Sequence, residues 1–194
     1  LLIGFMYTSI WQISPPTTWG NRLSNALDFH EEGVWFYDRN HQLMTVIQNQ
    51  EAPRILPMSF DQISPHLINA LVCLEDQSFY EHFGVPLRGV LRASWINLKA
   101  GRFMAGGSGI TQQVIKMFRG RSRGLSSKIK EAQYAIWLDH AFSKKQIIAT
   151  YLNYAHYGSN LVGVWQATQQ YFATDPNRLS LAQAAYIASL PHAP

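Results

Sequence analysis

The segment from Ser64 to Gly84 restricts this chain more than any other. Ser64 is an N-cap residue type and Pro65 suits the first helical position, so a helix starts there. Leu67, Leu71 and Leu74 follow at helical spacing, which gives the helix a buried face and carries the acidic pair Glu75-Asp76 to its far end. Continued for one or two more turns, the same helix would set Glu75, Phe79 and His82 on one side. A carboxylate among leucines and aromatics has the surroundings of a general base or acid working near neutral pH. A solvated helix-end carboxylate is the plainer alternative.

The rest of the chain is read as mainly α. A helix is expected from Leu87 to about Lys99 with Leu91, Trp95 and Leu98 turned inward, then a glycine-rich loop over Gly101 to Gly109. Helices over Ile110–Phe118 and about Ser126–Phe142 follow, joined by the basic loop RGRSRG. Ser59-x-x-Gln62, Ser143-x-x-Gln146 and Ser180-x-x-Gln183 carry the capping-box pattern; the first opens a single turn and the others open helices. Gly158 closes the helix begun at Ser143, and Leu161 to Phe172 forms another. Upstream, residues 17–33 read as irregular with a short helix near Leu23 to Phe29. Val34 to Ile47 reads as a short β-hairpin turning at Asp38-Arg39-Asn40-His41.

Composition narrows the partners. Hydrophobic residues at 47% and charged residues at 14% exclude disorder and suit a protein that works beside something apolar. The single cysteine, Cys73, can form no internal disulfide and reads as core; the histidines show no HExxH spacing. Charge is uneven. Between Arg88 and Lys145 the span carries a net charge of +10, against +4 for the whole chain. Such a basic centre suits an anionic partner, whether phosphate, a lipid surface or nucleic acid. Nucleic acid is disfavoured, because the basic span has few aromatics placed for stacking.

Residues 1–13, LLIGFMYTSIWQI, are apolar and too short to span a bilayer. They read as the outer end of a membrane-anchoring segment, with an apolar arm packed on the domain as the competing reading. The expected division is therefore 1–13 anchor, 14–58 linker and β-hairpin, and 59–194 main domain.

Five blocks stand in order over the second part of the chain. They are Glu75-Asp76-x-x-Phe79-x-x-His82-x-Gly84, Gly106-Gly107-Ser108-x-Ile110-Thr111-Gln112-Gln113-x-x-Lys116, Lys128-x-x-Glu131, Tyr151-Leu152-Asn153 with Gly158, Gly163 and Tyr171-Phe172, and Ala184-Ala185-x-x-Ala188-x-Leu190-Pro191. Together they resemble the glycosyltransferase domain of the bifunctional penicillin-binding proteins and the monofunctional peptidoglycan transglycosylases, glycosyltransferase family 51. The resemblance implies a lysozyme-like helical domain on the outer, periplasmic face of the bacterial cytoplasmic (inner) membrane. It implies an inverting hexosyltransferase that polymerises lipid II into β-1,4 glycan strands and releases undecaprenyl pyrophosphate. Its partners would be lipid II, the growing glycan strand, the membrane and other cell-wall synthesis proteins.

By the same resemblance Glu75 and Glu131 are the catalytic residues. Asp76, Phe79, His82, Gly107, Ser108, Gln112, Gln113, Lys116 and Lys128 are substrate-binding. The residue types suit that chemistry: Glu75 can take the acceptor hydroxyl's proton, and a pyrophosphate leaving group needs cations such as Lys116 and Lys128. No fixed cofactor is implied; a divalent cation, Mg2+ or Mn2+, at Glu131 is the one candidate. Asn153 reads as a buried helix-end hydrogen bonder.

The departures are specific. Gly109 stands where the family pattern has threonine, and Ser127 where it has arginine, four residues before Glu131. Met117, Ala149 and Gln183 replace an asparagine and two glutamates. Arg119, Arg121 and Arg123 lie within eight residues of Ser127 and could substitute for the missing guanidinium. Besides the active enzyme, a degenerate member that binds lipid II or a partner synthase without polymerising stays open, and so does a glycan-cleaving enzyme of similar fold.

Overall fold

The computed structural model describes residues 15–28, 34–39, 43–47, 55–101, 107–120, 124–158 and 161–192. These are mainly helical. The helices are α1 (Thr17–Leu27), α2 (Pro65–Glu75), α3 (Leu87–Ala100), α4 (Ile110–Arg119), α5 (Leu125–Ala141), α6 (Lys144–Tyr154), α7 (Val164–Phe172) and α8 (Leu181–Ser189). Two strands, β1 (Val34–Tyr37) and β2 (Leu43–Ile47), pair antiparallel, with Val34 opposite Ile47 and a register slip between Phe36 and Tyr37. The expected turn between them falls partly outside the described residues, as do residues 1–13.

Helix α4 lies at the centre. It packs against α1, α5 and α6, while α2 packs along α8. Ile110, Val114 and Ile115 of α4 are fully buried with Leu67 and Leu71 of α2, and Ile147 and Ile148 of α6 complete that core. Ser64 accepts a hydrogen bond from the His66 N–H at the start of α2, as its sequence predicts. The capping boxes at Ser59/Gln62, Ser143/Gln146 and Ser180/Gln183 form where expected, the first opening a 3₁₀ turn over Phe60–Gln62. Asn153 is a buried hydrogen bonder: its side-chain amide accepts from Met58 N–H at 3.0 Å and donates to Met58 C=O at 2.9 Å.

Several expectations are corrected. Helix α1 begins at Thr17, well before Leu23, because Trp19, Leu23, Ala26 and Leu27 form an apolar stripe that α4 and α6 bury. The helix begun at Lys144 ends at Tyr154, before Gly158, and the next begins at Val164. Cys73 is exposed, since it lies opposite the Leu67–Leu71 face of α2. Leu74, in the last turn, is 52% exposed. Leu91 and Trp95 are not inward but 64% and 60% exposed: among the described residues α3 shares no extensive packing with another helix.

The helix carrying Glu75 also stops sooner than its pattern allows. Asp76 leaves helical geometry at φ −161°, ψ 78°, and the chain turns back through residues 77–84. Gly84 closes that loop at φ +81°, so near α5 that a Cβ would lie 2.3 Å from the Ala135 carbonyl oxygen. Only glycine fits both the backbone angle and the gap. Glu75, Phe79 and His82 therefore come from a helix end and a loop.

Candidate active site

Glu75 ends α2 beneath two donors from other helices. The Tyr151 hydroxyl of α6 donates to Glu75 Oε1 at 3.0 Å, and the Gln113 amide of α4 donates to Oε2 at 2.5 Å. Tyr151 is 1% exposed. Burial first, and then the charge of Glu75 beside it, push its phenol far above the ordinary tyrosine range, so it stays a donor.

The loop after Glu75 is pinned by α6. Lys144 Nζ donates to the His82 carbonyl at 2.6 Å and to Asp139 Oδ1 at 2.5 Å, and it sits 4.5 Å above the Phe79 ring. Phe79 is fully buried, packed edge-on to Tyr80 and His82. Asp76 is buried too. Its Oδ2 lies 2.8 Å from His82 Nε2 and accepts from Ile110 N–H at 3.3 Å. Of the residues expected to touch substrate, Asp76, Phe79 and His82 are thus placed in the scaffold under Glu75.

A second cluster sits further along α4. Glu131 of α5, nearly buried, holds two ammonium groups: Lys128 Nζ at 2.8 Å and Lys116 Nζ at 3.6 Å. Lys128 also donates to Ser108 Oγ at 3.0 Å. Burial lowers the Lys116 pKa most; Glu131 opposes that and Lys128 adds to it, leaving it below the usual lysine value. Arg119, from the end of α4, donates through Nη1 to Ser127 Oγ at 3.2 Å and to Ser127 C=O at 3.3 Å, with its guanidinium 5.9 Å from the Tyr134 ring centre. A guanidinium is therefore present at Ser127, brought from the preceding helix. Gly106, Arg121 and Arg123 lie outside the described residues.

Helix α4 joins the clusters. Gln113 and Lys116 stand one turn apart on it, a rise of about 4.5 Å. Gln112 faces inward, 5% exposed, and its Oε1 accepts from Gly109 N–H at 3.2 Å. Gly107 and Ser108 lead into the helix. Sequence reasoning gave no role to Tyr151, Lys144 or Asp139. Tyr151 stood in a block, yet nothing local links it to Glu75.

A metal ion does not fit the residues present. Glu131 already faces two ammonium groups, so a dication there would meet two like charges and one carboxylate. Among the described residues no three of His, Cys, Asp or Glu gather into a metal-binding group.

A mainly helical domain in which one central helix touches both a held carboxylate and a lysine pair on a second glutamate is the class of protein defined so far. A family model described as Transglycosylase matches residues 40–194, and the chain belongs to that transglycosylase family. It is 46% identical over 138 residues to penicillin-binding protein 1A of Aquifex aeolicus (strain VF5), covering 71% of this chain and 19% of that protein. It is 39% identical over 142 residues to penicillin-binding protein 1A of Escherichia coli (strain K12), covering 73% and 17%. Penicillin-binding protein 1C of the same strain is 36% identical over 138 residues, covering 71% and 18%. The chain thus spans a minor part of the length of the curated relatives it matches.

Proposed function

We propose that this domain is a peptidoglycan glycosyltransferase that polymerises lipid II into β-1,4 glycan strands. In this reading the acceptor sugar's hydroxyl gives its proton to Glu75 as its oxygen attacks the donor's anomeric carbon. The bond from that carbon to the pyrophosphate oxygen breaks, and its electron pair leaves with undecaprenyl pyrophosphate. Attack opposite the leaving group inverts the anomeric centre. Because the departing group is an anion, it calls for cations and not for an acid. Lys116 and Lys128 supply them, oriented by Glu131, with Ser108 and Arg119 alongside. The observation that carries the reading is that α4 links both clusters: its Gln113, with Tyr151, holds Glu75, and one turn on, its Lys116 joins Lys128 and Glu131 of α5.

A lipid-linked substrate also accounts for the apolar surface beside the site. Leu87, Leu91 and Trp95 are exposed along one face of α3, and Phe83, in the loop before that helix, is exposed too. In this reading the domain works on the outer face of the cytoplasmic membrane, with residues 1–13 as its tether. Among the described residues no helix is long and apolar enough to cross a membrane.

The test is polymerisation of labelled lipid II by the parent and by Glu75→Gln. The variant should lose turnover by roughly 10² to 10⁴ while keeping most of its lipid II binding. Near-normal polymerisation by the variant would remove Glu75 from the chemistry. Lipid II binding without polymer in the parent would establish the degenerate alternative.

A further inference from the structure

Helix α4 begins on a residue that cannot cap it. Gly109 occupies the N-cap position with extended backbone, φ −83°, ψ −179°. Serine, threonine, asparagine or aspartate in that geometry would turn a side-chain oxygen onto the first free N–H groups of the helix. Glycine has no such oxygen. One half of a capping arrangement is present, since Gln112 Oε1 accepts from Gly109 N–H at 3.2 Å.

The missing acceptor arrives from another part of the chain. Asp76 Oδ2 accepts from Ile110 N–H at 3.3 Å and is fixed from its other side by His82 Nε2 at 2.8 Å. The Asp76 side chain is 1% exposed, so it has no second position in solvent. The space it fills is the space a side chain at 109 would need. A Cβ there would lie 2.1 Å from Asp76 Oδ2 and 3.0 Å from the rigid ring of Pro86 at Cδ. Its acidic charge is also of the sign that a helix N-terminus favours.

We propose that Asp76 caps α4 from outside the helix, that Gly109 is the opening that admits it, and that the two are positioning residues for the site. Asp76 follows Glu75 directly, and α4 carries both Gln113 and Lys116. The cap therefore fixes the base and the lysine in one frame. Asp76 acts through that frame and not on the sugar. The expected effect on turnover rests on the glycosyltransferase reading; the structural effect does not.

The experiment uses the full chain and reads two things: hydrogen exchange at the Ile110 amide, and kcat and KM on lipid II. Gly109→Ala should drive Asp76 off the amide and speed its exchange by roughly five- to thirtyfold, the usual size of a lost cap. It should also lower kcat on the order of ten- to a hundredfold, as misplacement of a catalytic frame does, with KM moved much less. Asp76→Asn keeps an acceptor oxygen and should stay near the parent in exchange, whereas Asp76→Ala should match Gly109→Ala. Gly109→Ser combined with Asp76→Ala puts a capping oxygen back on the helix itself and removes the collision with the Asp76 carboxylate, leaving only the 3.0 Å approach to Pro86 Cδ, so protection at Ile110 should return in large part.

Parent-like exchange and kcat in Gly109→Ala would overturn the proposal. So would Asp76→Asn and Asp76→Ala losing activity equally with Ile110 protection intact, because that pattern assigns Asp76 to the substrate. If the glycosyltransferase reading itself fails, the parent makes no polymer, and the exchange comparison still decides whether Asp76 is the cap.

Discussion

The hydrogen bond from Tyr151 to Glu75 spans 76 positions of sequence, and it decides how the carboxylate faces the site. Removing that hydroxyl should loosen the carboxylate on its Oε1 side, with Gln113 still donating to Oε2. Tyr151→Phe is expected to lower kcat about ten- to a hundredfold, the worth of one hydrogen bond to a charged group. Made on a Glu75→Gln background it should cost little more, because the tyrosine acts through the carboxylate. Steady-state polymerisation in both backgrounds checks this; equal losses would mean that Tyr151 supports only the fold. Lys116 makes a separate prediction. Burial lowers its pKa, so rising pH discharges it before an ordinary lysine, and affinity for inorganic pyrophosphate should weaken early on the alkaline side. Lys116→Arg should keep that affinity, since a guanidinium does not titrate there. The fold should not suffer in that window. The unfolded chain holds this proton more tightly, so the lysine's contribution to stability grows as pH rises from its lowered value toward 10.5. Binding isotherms across pH, with thermal unfolding beside them, separate the two. At this scale Glu75, Gln113, Lys116, Lys128 and Glu131 were legible as members of blocks. The burial of Asp76 and Phe79 and the reach of Lys144 were not, because they depend on contacts between distant segments.

At the scale of elements, local rules served where a helix end is decided by its own residues. The capping boxes at Ser59, Ser143 and Ser180 needed nothing from the rest of the fold. They failed where tertiary contact decides: α1 is lengthened by the surface it buries, and α3 shows that leucine and tryptophan at helical spacing do not imply a partner. The pairing of α4 with α5 changes the meaning of Ser127. Arg119 from the neighbouring helix bonds Ser127, and if it serves the substrate phosphate there, Arg119→Ala should weaken lipid II affinity by about ten- to a hundredfold, as losing a charged hydrogen bond to phosphate does. Adding Ser127→Arg to that variant should restore part of the loss, while Ser127→Arg alone should crowd the parent site. Unchanged affinity in Arg119→Ala would show that its guanidinium serves only Ser127 and Tyr134. Restoring a threonine at 109 should bring no gain, since its Cβ meets the Asp76 carboxylate.

Across the whole molecule the surfaces divide by chemistry. Leu87, Leu91 and Trp95 give α3 an exposed apolar face, while Lys116 and Lys128 gather their charge at Glu131. Deleting residues 1–13 should release most of the protein from anionic vesicles while helical content stays the same, because those residues precede every described helix. What binding remains should divide on adding salt into a screened part from the basic span and an unscreened part from the α3 face. Undiminished binding after the deletion would transfer the anchoring to those surfaces entirely; sedimentation with vesicles measures each share. The central position of α4 has a further consequence. Each residue of a helix turns the next by about 100°, so one residue inserted between Gln113 and Lys116 would swing the lysine away from the side on which the glutamine meets Glu75. A substitution on this helix alters one contact, whereas a change in its length turns every contact beyond it. Helix α4 is a ruler, and any descendant or redesign of this domain that keeps the reaction must keep its count.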